Sequence, residues 1–236
     1  MTTISSAILD PPLASDPAGP RITYYDDATG ERIELSTATL ANWAAKTGNL
    51  LRDELGAGPD SRVVVLLPAH WQTAAVLFGV WWIGAEVVLE GQGDIALCTA
   101  DRLPEADDAV GAGEVVVLSL DPFGKPVPDL PVGVTDYATS VRVHGDQIVP
   151  ERHPGPALDG QSVADVLAAA HASAAAQGFS ATDRLLSSRN WATPDELVDN
   201  LLAVFAVGAS LVQVAHPDPA LLDRRRSTEK VTRDLE

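Results

Sequence analysis

The chain has 236 residues, of which 46% are hydrophobic, enough for a core in one large domain or two small ones. Its formal net charge of −17 at pH 7 argues against binding to nucleic acid or to an anionic membrane surface, because both need clustered Lys and Arg side chains. Cys98 is the single cysteine, so no intrachain disulfide can form. Neither a secretory signal nor a membrane-spanning apolar stretch is visible. These features predict a cytoplasmic globular protein.

The N-terminal region divides into an arm, a hairpin and a helix. Residues 1–20 are rich in Pro, Ser, Ala and Asp with little apolar periodicity, which predicts a mobile or surface-draped arm. Residues 21–25 and 31–35 flank a turn, and their length and alternation are typical of a β-hairpin. Apolar side chains at helical spacing then predict a helix that starts at Ser36 or Thr37.

A βαβ unit follows this helix. Residues 63–67 form a continuous β-branched run, typical of a strand that is covered on both faces in a parallel sheet. An apolar helix that ends at Gly84 leads to a second strand at residues 86–89. Two more short strands are predicted at residues 95–98 and 114–118.

The remainder of the chain begins with a proline-rich segment, residues 121–159, which predicts an extended connection with an edge strand around residues 141–143. Residues 162–214 have the pattern helix, strand, helix, strand, and the second helix starts with Thr193-Pro194-Asp195-Glu196. Residues 218–236 are charged and weakly helical. We interpret their run Arg224-Arg225-Arg226 as the solvated end of a helix.

Together these elements predict an α/β fold with a mixed, largely parallel sheet or sheets flanked by helices. The globular domain is expected to span residues 21–217. It would consist of two halves, residues 21–120 and 160–217, joined by the proline-rich segment at 121–159. The N-terminal arm would precede it, and the charged tail, residues 218–236, would follow it.

Two blocks of the chain carry a family resemblance. Residues 35–89 contain the turn Gly58-Pro59-Asp60-Ser61-Arg62-Val63, and residues 162–214 contain Thr182-Asp183-Arg184-Leu185-Leu186 and Gly208-Ala209. In their order and spacing the blocks resemble the N-terminal part of the adenylate-forming superfamily, which comprises acyl-CoA synthetases, luciferases and peptide-synthetase adenylation domains. The blocks cover a little under half of the chain. The resemblance implies the fold of the N-terminal half of that family's large domain.

The catalytic sequence motifs of the family are missing from their expected positions. The family's phosphate loop is a Ser/Thr/Gly-rich run with a lysine, because N–H groups, hydroxyls and an ammonium must surround a polyphosphate. Residues 153–162, at the matching place, have no lysine, two prolines and Asp159, whose charge would repel a phosphate. The adenine-binding motif, the ribose-binding aspartate, the hinge and the C-terminal domain with its lysine have no counterpart. The resemblance therefore implies a truncated, catalytically degenerate member, with no catalytic residue and no cofactor.

The loop between strand and helix at residues 189–193 is where the family places acyl-pocket and gate residues. The resemblance implies Asn190, Trp191 and Thr193 as candidate ligand-binding residues, and strand-end loops are the usual ligand sites of open α/β sheets. The structural alternative is helix capping by Thr193 and core packing by Trp191. The five histidines lack metal-ligand spacing, so no metal site is predicted.

Three functions follow as hypotheses. The first is a non-catalytic binding or regulatory module derived from an adenylate-forming enzyme. The second is one chain of a split or hetero-oligomeric enzyme, which would expose an apolar face to a protein partner or a homodimer. The third is a protein that binds a small acyl or nucleotide ligand in the family's pocket.

Overall fold

The computed structural model describes residues 2–235. Its strands are β1 (Pro20–Asp26), β2 (Glu31–Ser36), β3 (Arg62–Leu66), β4 (Glu86–Val88), β5 (Ile95–Thr99), β6 (Glu114–Leu118), β7 (Val134–Asp136), β8 (Arg184–Ser187), β9 (Ser210–Ala215) and β10 (Arg233–Asp234). Its helices are α1 (Ile4–Ser15), α2 (Thr37–Asn49), α3 (Trp71–Trp82), α4 (Leu103–Val110), α5 (Tyr137–Ser140), α6 (Val163–Gln177), α7 (Pro194–Leu197), α8 (Ala203–Ala206) and α9 (Pro219–Thr228). A π-helical turn, Leu50–Glu54, continues α2, and another, Val198–Leu202, joins α7 to α8.

The described residues divide into two compact units, each with one five-stranded sheet. The first unit comprises residues 2–6, 41–67 and 72–163, and the second comprises residues 7–40, 68–71 and 164–235. Both sheets are flanked by helices, and all but one of the strand pairs are parallel. The predicted α/β class with largely parallel sheets is confirmed.

The first unit has the strand order β4-β3-β5-β6-β7, with every neighbouring pair parallel. The β-branched run that predicted a covered strand is β3, whose Val63 and Val64 are fully buried. Cys98 on β5 is also fully buried, and burial raises the pKa of its thiol to about 11. Cys98 therefore stays protonated at neutral pH and packs as a small apolar side chain.

The second unit has the order β10-β8-β9-β1-β2, in which only β1 and β2 are antiparallel. The predicted hairpin is confirmed, with Asp26 opposite Glu31 at its closed end. However, β1 also pairs in parallel with β9, and Ile22 lies opposite Leu211. The hairpin therefore belongs to the sheet of the second unit, whereas the predicted division places it in the half that spans residues 21–120. Main-chain pairing between segments so far apart in sequence leaves no local signal.

The N-terminal region differs from the predicted arm. Residues 4–15 form α1, although Pro11 and Pro12 remove two helical N–H donors. Ile4, Ile8 and Leu9 lie on one helical face and are at most 3% exposed. Burial of these three side chains, worth roughly 1.5–3 kcal/mol each, is of the same size as the cost of two prolines inside a helix, about 3 kcal/mol each, and therefore offsets it.

The proline-rich segment, residues 121–159, also differs from the prediction in the position of its strand. Its edge strand is β7, at residues 134–136, whereas residues 141–143 form a 3₁₀ turn. Asp136 ends β7 and caps α5 by accepting a hydrogen bond from the N–H of Thr139.

The charged tail contains α9 and β10, and β10 pairs with β8. No helix within residues 2–235 has the length and apolarity needed to cross a bilayer.

Two glycines allow helices α2 and α3 to approach closely within the first unit. A Cβ at Gly79 would lie 2.8 Å from the carbonyl oxygen of Ala44 and 2.8 Å from Cβ of Thr47. A Cβ at Gly48 would lie 3.0 Å from the carbonyl oxygen of Gly79. Because most of these neighbours are backbone atoms, they cannot move without displacing a helix.

The substitution Gly79→Ala should therefore destabilise the protein by about 1–3 kcal/mol, the usual cost of overpacking. The free energy of unfolding can be measured by urea titration with circular dichroism. Gly58→Ala is the matched control, since a Cβ there would meet nothing within 4 Å. Equal stability of G79A and wild type would contradict the close approach.

Candidate functional site

The loop after β8 lies at the carboxyl end of the second unit's sheet and is held by buried polar side chains. The Ser187 hydroxyl, at the end of β8, accepts a hydrogen bond from the N–H of Arg189 at 3.0 Å. Gln213 lies opposite Ser187 on β9, and its Nε2 donates to the Arg189 carbonyl oxygen at 3.0 Å. Asn200 Nδ2 donates to the carbonyl oxygen of Asn190 at 2.8 Å. The backbone of the loop is thereby fixed from β8, from β9 and from the π-helical turn.

The three residues predicted to bind a ligand occupy different environments in this loop. Asn190 is exposed, whereas Trp191 is only 3% exposed. The hydroxyl of Thr193 accepts a hydrogen bond from the N–H of Glu196 at 3.2 Å, and the Glu196 carboxylate accepts from the N–H of Ala192 at 3.0 Å. This is a capping box, so Thr193 stabilises the start of α7. The three residues lie on the same loop, but only Trp191 has its polar group buried in the protein.

Two buried polar atoms at this place have no hydrogen-bond partner among residues 2–235: Nε1 of Trp191, a donor, and Oε1 of Gln213, an acceptor. A buried polar group without a partner costs about 1–3 kcal/mol. A molecule that reached both atoms and offered one acceptor and one donor would recover this energy. Sequence reasoning missed Gln213, although a lone polar residue between Val212 and Val214 in an otherwise apolar strand is a detectable signal.

A buried histidine lies on the same face of this sheet. Tyr24 on β1 is the register partner of Gln213, and its ring contacts that of His70 edge-on, with centroids 4.2 Å apart. His70 is 2% exposed, and its Nε2 lies 3.9 Å from Oε1 of Glu31. Burial lowers the pKa of His70 to about 3, so the imidazole is neutral at pH 7. No local sequence pattern distinguishes His70 from the other four histidines.

The segment at the expected place of a phosphate loop, residues 153–162, lies in the first unit. Its backbone N–H groups donate to carbonyl oxygens of the same unit: Gly155 to Gly84 at 3.0 Å, Ala157 to Gln161 at 2.7 Å, Asp159 to Val87 at 3.1 Å and Gln161 to Leu158 at 2.9 Å. The side chains of Ala157 and Leu158 are almost completely buried. The segment is thus packed against the strand β4 as a structural loop.

A carboxylate occupies one further N–H group of this segment. The N–H of Gly160 donates to Oε1 of Glu86 at 2.6 Å, and Arg62 lies 3.3 Å from the other oxygen of that carboxylate. Burial raises the pKa of the neighbouring Asp159. An incoming anion would therefore meet an N–H group that already binds a negative charge.

Metal binding has no support in the described part of the chain. Within residues 2–235, no group of three or more His, Cys, Asp and Glu side chains is placed to hold a metal ion.

The comparisons with known proteins give one close relative and a shared fold. No protein-family model matches the sequence. A protein of Mycobacterium tuberculosis described as "TIGR03089 family protein" is 72% identical over 239 residues, which cover 99% of this chain and 98% of that relative.

Two solved structures illustrate the shared fold. An acyl-CoA synthetase from Brucella canis superposes with a TM-score of 0.80 at 15% identity, over 98% of this chain and 46% of that one. The N-terminal domain of FACL13 from Mycobacterium tuberculosis superposes with a TM-score of 0.70 at 18% identity, over 99% of this chain and 62% of that one. The chain thus spans about half of the length of the solved structures it matches. The predicted likeness to the N-terminal part of an adenylate-forming enzyme is confirmed at the level of fold.

The substitution His70→Gln should flatten the pH dependence of stability between pH 6.5 and 5. The pKa of His70 is about 3 in the folded chain and close to 6.5 in an unfolded one. The unfolded state therefore binds more protons between these values, and the wild type loses about 1.4 kcal/mol of unfolding free energy per pH unit as the pH falls below 6.5. Urea titrations at pH 7.5, 6.5 and 5 measure this loss.

The pH window from 6.5 to 5 also lies above the range in which Glu229, a buried carboxyl with a strongly lowered pKa, changes its contribution to stability. Burial opposes its ionisation, but hydrogen bonds from Arg32, Tyr25 and Arg184 lower its pKa to about 2, so its contribution is lost only below pH 4.5. His153→Gln, in an exposed loop, is the control and should keep the wild-type slope. An H70Q variant with that same slope would show that His70 titrates normally.

Proposed function

The chain belongs to the TIGR03089 family, and from that premise we propose that it is a non-catalytic binding module built on an adenylate-forming fold. The observation that carries the proposal is the state of residues 153–162. Their N–H groups are hydrogen-bonded to the chain itself, and Gly160 binds the carboxylate of Glu86 instead of being free for a phosphate. This segment therefore serves as a packed connection rather than as a nucleotide-binding loop.

The electrostatic cost of placing a polyphosphate beside the carboxylate of Glu86 supports the same conclusion. Glu86 is 7% exposed and paired with Arg62, so it cannot turn into solvent without losing both the ion pair and the Gly160 bond. Two like charges about 4 Å apart repel by about 4 kcal/mol at an effective dielectric constant of about 20. A polyphosphate carries several such charges. The segment contains no lysine to offset them.

We expect purified protein to show no rise in melting temperature with Mg-ATP, AMP, CoA or short acyl-CoAs, and no pyrophosphate release from Mg-ATP with carboxylic acids. A ligand at about 100 times its Kd would add about 2.7 kcal/mol, or roughly 5–10 °C for a chain of this size. An intact acyl-CoA synthetase serves as the positive control in both assays. A nucleotide-dependent shift of that size, or any turnover, would overturn the proposal.

A second candidate function, binding of a small acyl-type ligand, is favoured by the unpaired atoms of Trp191 and Gln213. The ligand would need an acceptor for the indole N–H and a donor for the amide oxygen, a combination that a primary amide or a hydroxy acid provides. Asn190, exposed beside Trp191, would contribute from the loop surface, and Thr193 would keep the loop in place through its cap.

Saturation-transfer NMR with acetamide, benzamide and lactate tests this candidate. Wild-type protein should give a signal with at least one probe, and Trp191→Phe, which removes the N–H but keeps an aromatic ring, should weaken binding about 10-fold. Trp43→Phe, in the other unit, is the matched control and should bind as the wild type does. Equal binding by W191F and wild type, or no binding by any of the three probes, would contradict a ligand at these atoms.

A further inference from the structure

A cavity of about 320 Å³ lies in the second unit, between the hairpin β1–β2 and helix α9. Its lining residues are Tyr25, Arg32, Leu221, Arg224, Arg225 and Thr228. Three of these six carry a guanidinium group, in a chain with 33 acidic and only 16 basic residues. The volume is at the lower end of the range that small-molecule sites occupy, about 300–1,000 Å³.

Two of the three arginines are held in place by buried acids. Arg32 Nε donates to the Tyr25 hydroxyl at 2.9 Å and to Oε1 of Glu229 at 3.0 Å. Glu229 is almost fully buried, and its other oxygen accepts from Arg184 Nη2 at 2.7 Å. These bonds fix the position of the Arg32 guanidinium at the cavity wall before any ligand arrives.

Arg225 is fixed in a different way. Its guanidinium carbon lies 3.7 Å from the centroid of the Tyr25 ring, and Nη2 donates to the buried carboxylate of Asp27. Its Nε is buried and has no hydrogen-bond partner among residues 2–235. Stacking and the ion pair therefore hold this side chain rigidly at the cavity wall.

Arg224 supplies the excess positive charge. It is exposed, and within residues 2–235 it forms no hydrogen bond and no ion pair. Its neighbour Arg226 is instead committed to Asp223 at 2.7 Å and to Asp234 at 2.7 Å, and it does not line the cavity. The run that the sequence presented as one solvated helix end therefore contains three arginines in three different environments.

We propose that this cavity binds a small organic anion through a carboxylate or phosphate group. Arg224 and the Thr228 hydroxyl would contact the anion at the mouth. The Nη1 groups of Arg32 and Arg225 would contact it from the wall, since Nη2 of Arg32 is bonded to Glu34 and Nη2 of Arg225 to Asp27. Guanidinium groups match the planar oxygens of both anions. Leu221 and Tyr25 provide apolar surface for the body of the molecule. The site is separate from the loop at residues 188–193 and does not depend on it.

Isothermal titration calorimetry at constant ionic strength tests the site, with inorganic phosphate and benzoate as probes and chloride as the background anion. The wild type should bind at least one probe, and Arg224→Gln should weaken that binding about 10-fold or more. Arg226→Gln is the matched control, because it removes the same charge from the same helix but does not line the cavity. It should bind as the wild type does.

The two probes separate the possible sources of the anion. Binding of phosphate alone assigns a phosphorylated ligand, and binding of benzoate alone assigns a carboxylate. Because Arg224 is exposed and makes no described contact, R224Q should keep the wild-type melting temperature, so lost binding cannot be attributed to unfolding. The proposal is overturned if neither probe binds, if R224Q binds as the wild type does, or if R226Q weakens binding equally.

Discussion

The parallel pairing of β1 with β9 is the constraint on which the second unit depends. It places five residues of the N-terminal hairpin beside a strand that follows them by almost the whole length of the chain, from Ile22 opposite Leu211 to Asp26 opposite Ala215. Without this pairing the hairpin would be an isolated two-stranded element, which is marginally stable at best in water. With it, the hairpin closes one side of a five-stranded sheet.

The same pairing positions both candidate sites, because successive side chains on a strand point to opposite faces. Tyr24 lies at the level of Gln213 and contacts His70 on one face. Tyr25 lies on the other face, where it packs with Val212 and Val214 and forms a wall of the arginine-lined cavity. A shift of one residue in the β1–β9 register would exchange the two tyrosines and dismantle both arrangements.

Buried carboxylates have different consequences for anion binding in the two units. In the first unit a carboxylate, Glu86, accepts a hydrogen bond from the N–H of Gly160, in the segment where the family resemblance predicted a phosphate loop. In the second unit, Glu229 and Asp27 are buried partners of arginines, and one arginine, Arg224, remains unpaired beside them. An acidic chain can therefore still offer a local anion site, because short-range pairing, and not net charge, decides which cations remain available.

The sequence by itself determined the element types and the class of fold. The β-branched run of β3, the helical spacing of α2 and the Thr193-Pro194-Asp195-Glu196 start of α7 are local patterns, so they identify these elements without tertiary information. It also identified the loop at residues 189–193 as a strand-end loop. Only the tertiary structure decided that α1 forms despite two prolines, that the hairpin joins the second sheet, and that Gln213 and His70 are buried with polar atoms in an apolar setting. The physical reason is that burial and long-range main-chain pairing depend on residues far apart in sequence, whereas periodicity and capping depend on near neighbours.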